Sequence, residues 1–381
     1  MDSLIAVFKE NAVSDHEIAY LAQRLSRSGE VLAHEVAHIA DVASTGGPSS
    51  LSTLLCPLQL VRNGAWVPKL GVPGRPAGGI DVLACIPGFK SHLTKDEVLE
   101  CLHTCGYAHF LADDTFVPLD VVLFNYRKRT KAIDVPNLAI ASLLAKKLAM
   151  GISRVALDVR VAPYTNFGST WLEARVNAQR FIGTAALLGI DATCFLTDAA
   201  VPYQPFIGRG ESLVALHHIL SGNLTPALTK HLNLCRTISN ACAGGNDADP
   251  SDLRAVFADH LKQQGSSWDI FVRKVDELLT QPRGIIFAKS DGYLSVDLAS
   301  IRQIIINHQA ERLGKSDTQF PDSCGLTLLL PAGTAVEGGV PVASVRSTGN
   351  LEQLLAELHR FVFQSATQRG ERATEMVDAN G

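Results

Sequence analysis

Apolar residues along this chain switch between a helical and a strand-like period, and the switches mark its elements. Ile18, Leu21, Ala22 and Leu25 share one helical face, behind a capping box at Ser14-Asp15-His16-Glu17 and ahead of a stop at Gly29. A short apolar run over 39–43 leads into Ser44-Thr45-Gly46-Gly47-Pro48-Ser49-Ser50, and 51–62 then reads as a helix. Strand, glycine turn and helix in that order aim backbone N–H groups at an anion. Residues 70–80 are a second loop rich in Gly and Pro, followed by a helix near 95–105 and short apolar runs near 109–112 and 116–124. Pro136 opens a strong helix through 150, closed by Gly151. Residues 155–161 and 192–196 read as buried strands with a helix over 170–188 between them.

Strands alternating with helices predict an α/β fold with a mainly parallel sheet covered on both faces. Residues 243–251 read as a polar linker. From about 283 the texture changes to short β runs at 284–289 and 324–330, with a turn at Val336-Glu337-Gly338-Gly339, which predicts a smaller C-terminal α+β unit. The polar stretch 366–381 is expected to fray as a flexible tail. No internal repeat is visible.

With 381 residues, 46% hydrophobic and 19% charged, the chain has material for a large core and more than one domain. A net charge of −4 argues against nucleic acid or an anionic membrane as the main partner. No run approaches the ~18 apolar residues of a membrane span, and Met1-Asp2-Ser3-Leu4 lacks a basic, apolar leader. The eight cysteines show no framework spacing, so reduced thiols in a cytoplasmic protein are expected.

Ordered blocks along nearly the whole chain carry a family likeness. They are Ser44-Thr45-Gly46-Gly47; Gly78-Gly79-Ile80-Asp81; Ile86-Pro87-Gly88-Phe89; Ala141-Ser142-Leu143-Leu144-Ala145-Lys146-Lys147-Leu148; Ala156-Leu157-Asp158-Val159-Arg160-Val161; Asp291-Gly292-Tyr293; and the stretch 331–345. In these the chain resembles the thymidine phosphorylase and pyrimidine-nucleoside phosphorylase family. The resemblance implies a homodimer and a cofactor-free, metal-free exchange of a pyrimidine base for inorganic phosphate. It also implies a small helical domain (1–36 and 118–150), an α/β domain (37–117 and 151–282), a C-terminal subdomain (283–365), and a substrate cleft that closes by hinge motion.

A departing pyrimidine gains negative charge, which hydrogen-bond donors and cations around its carbonyls and ring nitrogen stabilise as it develops. Arg127 offers a planar fork, Lys146 a point charge and Ser142 a hydroxyl, and Ser142 and Lys146 are four apart on one predicted helix. By the resemblance these three hold the base, with Arg129 as the alternative arginine. The bland alternative makes Lys146 and Lys147 surface lysines of an amphipathic helix.

The anion-binding half departs from the family. Where the family reads Lys-His-Ser-Thr-Gly-Gly, this chain has Val42 and Ala43 before Ser44, Thr45, Gly46 and Gly47; Ser52 and Thr53 fall where further hydroxyl ligands are placed. The second loop is shortened to Gly74-Arg75-Pro76-Ala77-Gly78-Gly79, with Ile80 in place of a phosphate-binding threonine. Arg75 or Lys69 is the candidate replacement cation. The expectation is a pentosyltransferase acting on a pyrimidine base or nucleoside, with phosphate or a sugar phosphate at an altered site. Two rivals are phosphate-independent hydrolysis or base exchange, with water in the apolar space left by Val42 and Ala43, and a non-catalytic pyrimidine-nucleoside-binding protein.

Other motifs carry less. His34-Glu35-Val36-Ala37-His38 matches a zinc-protease helix but has no third ligand downstream. Cys101, His103, Cys105 and His109 do not converge on one helical face and read as core cysteines and incidental histidines. Gly208 and Gly210 read as a turn at the cleft edge.

Overall fold

The computed structural model describes residues 1–10, 13–32, 38–73, 78–310, 320–368 and 373–379. In chain order the elements are α1 (Asp2–Glu10), α2 (Asp15–Ser26), β1 (Ala40–Ser44), α3 (Ser52–Arg62), β2 (Val67–Gly71), α4 (Gly79–Leu83), α5 (Lys95–Cys105), β3 (Tyr107–Leu111), α6 (Pro118–Arg129), α7 (Pro136–Ala149) and β4 (Arg154–Val161). There follow α8 (Trp171–Leu187), β5 (Asp191–Asp198), β6 (Phe206–Ile207), α9 (Arg209–Leu220), α10 (Pro226–Ala243), α11 (Pro250–Gln263) and α12 (Trp268–Thr280). The last part holds β7 (Arg283–Phe287), β8 (Gly292–Val296), α13 (Leu298–Ala310), β9 (Cys324–Leu328), β10 (Ala335–Val336), β11 (Pro341–Ser347), α14 (Leu351–Leu358), β12 (Val362–Ser365) and β13 (Thr374–Val377).

The fold is mixed α/β. Strands β1, β4 and β5 run parallel in the order β1-β4-β5, and β2 and β3 form a second parallel pair that meets the β1 edge through an Ile39–Trp66 bridge. Alternation along β4 feeds two cores. Ala156, with Ala40 and Val42 of β1, packs under α3 and α10, whereas Val155, Leu157 and Val159 pack under α7 and α8. Phe8, Ile18 and Ala22 join the second core, so α1 and α2 lie on the same apolar mass as α7 and the sheet.

The C-terminal strands build two antiparallel sheets, β6-β9-β11-β7 and β10-β8-β12, around a third core with α13 and α14. A buried ion network joins this part to α9: Arg346 holds Glu211 at 2.7 Å and Asp322 at 2.8 Å.

One expectation is overturned. Residues 374–377, read as a fraying tail, form β13, which pairs antiparallel with β5 and closes the edge of the main sheet. Met376 is exposed while Val377 is buried in the second core, so a strand-like alternation hidden among polar neighbours outweighs the polar composition. The cysteines form no disulfide, and six of the eight are buried. No described helix is long and apolar enough to cross a membrane.

Candidate functional site

The carboxyl ends of β1 and β2, with β3, β4 and helices α6 and α7, enclose a cavity of about 150 Å³. Crevices beyond the carboxyl ends of parallel strands are where α/β folds bind ligands. Period two decides what each strand contributes: Asp41 and Ala43 of β1 line the cavity, while Val42 turns into the first core. The apolar space expected beside Val42 is therefore absent, and Ala43 alone of that pair borders the site.

Arg127, Ser142 and Lys146 all line this cavity and are all buried, with Phe124, Ile133 and Leu143 supplying apolar wall between them. Lys146 and Lys147 are thus interior groups, not surface lysines. Arg127 Nε donates to the Ala132 carbonyl at 3.1 Å and Nη2 to that of Ile133 at 2.7 Å, which pins the fork to the α6–α7 connection. Its Nη1 takes no partner among the described residues. Burial pulls the guanidinium down to about 10, against the raising pull of Asp120 and Asp134, so it stays charged at neutral pH. Lys146 donates to Asp120 and, at 2.9 Å, to Ser142 Oγ. Asp120 Oδ1 is buried without a hydrogen-bond partner among the described residues. Arg129, the alternative arginine, is exposed and lies over the Tyr126 ring at 4.9 Å.

The loop after β1 divides. Ser44, Gly46, Gly47 and Thr53 face the cavity. Gly46 and Gly47 have φ of 100° and 139°, a region that favours glycine, and a Cβ on Gly47 would lie 3.2 Å from the Arg160 side chain. Their N–H groups take no partner among the described residues. Thr45 and Ser52 do not line the cavity and correct the expectation of anion ligands. Thr45 Oγ1 accepts from the Arg160 N–H at 2.9 Å; Ser52 Oγ donates to Asp158 Oδ2 at 2.6 Å and accepts from Arg160 Nη2 at 2.9 Å. Both are spent on holding Arg160, which itself lines the cavity.

Cations are supplied from elsewhere than the loop. Lys69 of β2 donates to Asp41 Oδ1 at 2.7 Å and to the Val42 carbonyl at 2.6 Å, and Lys147 of α7 binds the other oxygen of the same carboxylate. Burial works to raise Asp41, but Lys147 and Lys69 more than offset it and hold the carboxyl well below its usual range. Cations outnumber carboxylates among the described groups at the cavity and their partners, which suits an anionic ligand. Of the two candidate replacements, Lys69 is at the site, and Arg75 lies outside the described residues.

His109, Arg160, Asp41, Asp120, Lys147 and Asn166 escaped prediction from the sequence as site residues. His109, an incidental histidine by its spacing, lines the cavity from β3. Among the described residues no group of three His, Cys, Asp or Glu side chains is placed to hold a metal ion. Residues 34–37 of the zinc-protease-like motif lie outside the described residues, and His103 packs edge-on against Trp66 at 4.7 Å. Gly208 precedes α9, where Arg209 is buried and paired with Asp81 at 3.0 Å. No family model matches the chain.

Proposed function

We propose that the chain transfers a pentosyl group to or from a pyrimidine base, a nucleoside-phosphorylase-like chemistry with a rebuilt anion site. The observation that carries this reading is convergence: Arg127, Ser142 and Lys146, from two helices, share one cavity with Ser44, Gly46 and Gly47 of the turn after β1. The ring would lie against Phe124 and Leu143, with Arg127 Nη1 and the Lys146–Ser142 pair on its polar edge. Charge gained by the ring as its bond to the sugar breaks would fall on these preorganised groups, in a site with little water to compete.

The oxygen nucleophile or phosphoryl group would occupy the end bounded by Ser44, Gly46, Gly47, Thr53 and Lys69. A buried dianion needs a cation close by, and Lys69 restores from β2 what Val42 does not offer from β1. In this reading the helices within 1–36 and 118–150 close over the α/β part by hinge motion, in a cytoplasmic homodimer. The test is to incubate cytosine, uracil and thymine with ribose-, deoxyribose- and hexose 1-phosphates and follow nucleoside formation. Turnover of at least one pair, dependent on Arg127, is expected; no turnover with any pair refutes the reading.

A further inference from the structure

Among the described residues lining the cavity there is one imidazole, His109, and it stands opposite Lys69 in the register of β2 and β3. A Cβ placed on Gly79 would lie 2.6 Å from His109 Cε1 and 3.1 Å from Thr53 Oγ1, so the ring edge is beside the Thr53 hydroxyl at the loop end of the cavity. A Cβ on Gly71 would come within 3.5 Å of Nε2. A side chain at Gly79 would crowd that edge, whereas a Cβ on Gly71 would only touch it and would press on Ile80 at 2.9 Å.

The other ring nitrogen is occupied. Nδ1 lies 3.0 Å from the Tyr107 hydroxyl, and both side chains are buried. Burial, with Asp41 nearby, raises the Tyr107 phenol well above its usual value, so the hydroxyl keeps its proton. That O–H has no other partner among the described residues, and leaving it unpaired would cost about 1–3 kcal/mol. It therefore donates to Nδ1, which places the imidazole proton on Nε2. Burial, reinforced by Lys69, His260 and Lys147 against the pull of Asp41, holds His109 well below its usual value, and the ring is neutral.

We propose that Tyr107 and His109 act on the ligand as a pair: the phenol fixes the tautomer, and the neutral Nε2–H donates to an oxyanion of a phosphoryl group bound between Lys69, Thr53 and the Gly46–Gly47 turn. The inference rests on the pentosyl-transfer reading of the cavity and gives its anion end a ligand class, a phosphate ester or inorganic phosphate. A neutral donor suits this place, because another full positive charge beside Lys69 and Lys147 would be repelled. His109 is the contacting residue and Tyr107 its positioning residue.

The test titrates inorganic phosphate, ribose 1-phosphate and uracil separately into the wild-type chain, H109A and Y107F by calorimetry. Long-range nitrogen–proton spectra of the imidazoles run alongside. H109A should weaken phosphate-probe binding about ten- to a hundredfold, the loss expected for one hydrogen bond to a charged group. Y107F should weaken it severalfold, and uracil should bind all three proteins within twofold. The His109 signal should show the Nε2–H tautomer in the wild type and a mixture in Y107F. Y107F removes a single oxygen from a packed ring and decides the matter if H109A does not fold. Phosphate-probe affinities within twofold across the variants, or an Nδ1–H tautomer in the wild type, would overturn the pair. Binding of ribose 1-phosphate alone, lost in the variants, upholds it and identifies the sugar phosphate as the source. Uracil binding with no phosphate-probe binding overturns the pair and leaves the pyrimidine reading standing. Phosphate-probe binding that the variants weaken, with no uracil binding, upholds the anion contact and removes the pyrimidine reading.

Discussion

Asp41→Asn is the substitution whose cost follows most directly from the site. Asp41 is fully buried and its two oxygens serve two buried ammonium groups, Lys69 at 2.7 Å and Lys147 on the other oxygen. The amide keeps shape and volume but carries no charge and presents one acceptor. Removing one partner of a buried ion pair costs about 3–5 kcal/mol, because the charge left behind is uncompensated. Here one carboxylate balances two lysines, so the upper part of that range applies, roughly a thousandfold in the folded-to-unfolded ratio. Urea denaturation followed by tryptophan fluorescence should show the midpoint falling with little change in slope. Millimolar phosphate should return part of the loss to D41N, since an anion bound beside the lysines replaces the missing charge. The acid limb supplies a second reading. The folded-state pKa of Asp41 is depressed, so its contribution is complete above about pH 4 and is lost as pH falls below that. D41N should lack this component. An unfolding free energy within about 1 kcal/mol of the wild type would show that the lysines do not depend on Asp41, and the charge balance drawn for the site would be wrong.

Three further outcomes are expected. Arg127→Ala should weaken uracil binding about ten- to a hundredfold by calorimetry while leaving phosphate binding within a few-fold; equal losses for both ligands would contradict a division into base and anion ends. His260, buried against Tyr107, is pushed down to about 3 by burial, so the unfolded chain takes up its proton first. Stability should therefore fall as pH drops from about 6.5 toward 3, by about 1.4 kcal/mol per unit for this group, and H260Q should show a shallower slope in denaturation at pH 4–6. Val377→Asp should destabilise the fold by about 1.5–3 kcal/mol through loss of the buried side chain of β13, and an unchanged melting curve would show that 374–377 fray from β5.

Much of the architecture was written in local pattern. The capping box at Ser14, the Pro136 start and Gly151 stop of α7, and the buried runs of β4 and β5 need only nearest neighbours to be read. Strand β13 was not legible, because its pairing with β5 is a contact nearly 180 residues distant in sequence. The spacing of Ser142 and Lys146 on one helix announced their shared face, whereas Arg127 came only from the family resemblance, through its interval from Ser142. Lys69 and His109 were harder. Each sits alone in an apolar strand, and they become neighbours only when β2 and β3 pair in parallel register. Thr45 and Ser52 failed for the opposite reason: hydroxyls beside a glycine turn look like anion ligands until Arg160, from β4, is seen to use them.

Crystals grown with uracil and soaked in ribose 1-phosphate give the most direct measurement of the central claim. The flat ring should lie between Arg127 and Lys146 with a carbonyl oxygen within hydrogen-bond distance of Nη1, and the phosphoryl group should lie beside Gly46, Gly47 and Lys69. A ring bound outside this cavity, or a cavity left empty at concentrations that saturate the protein in solution, would contradict it.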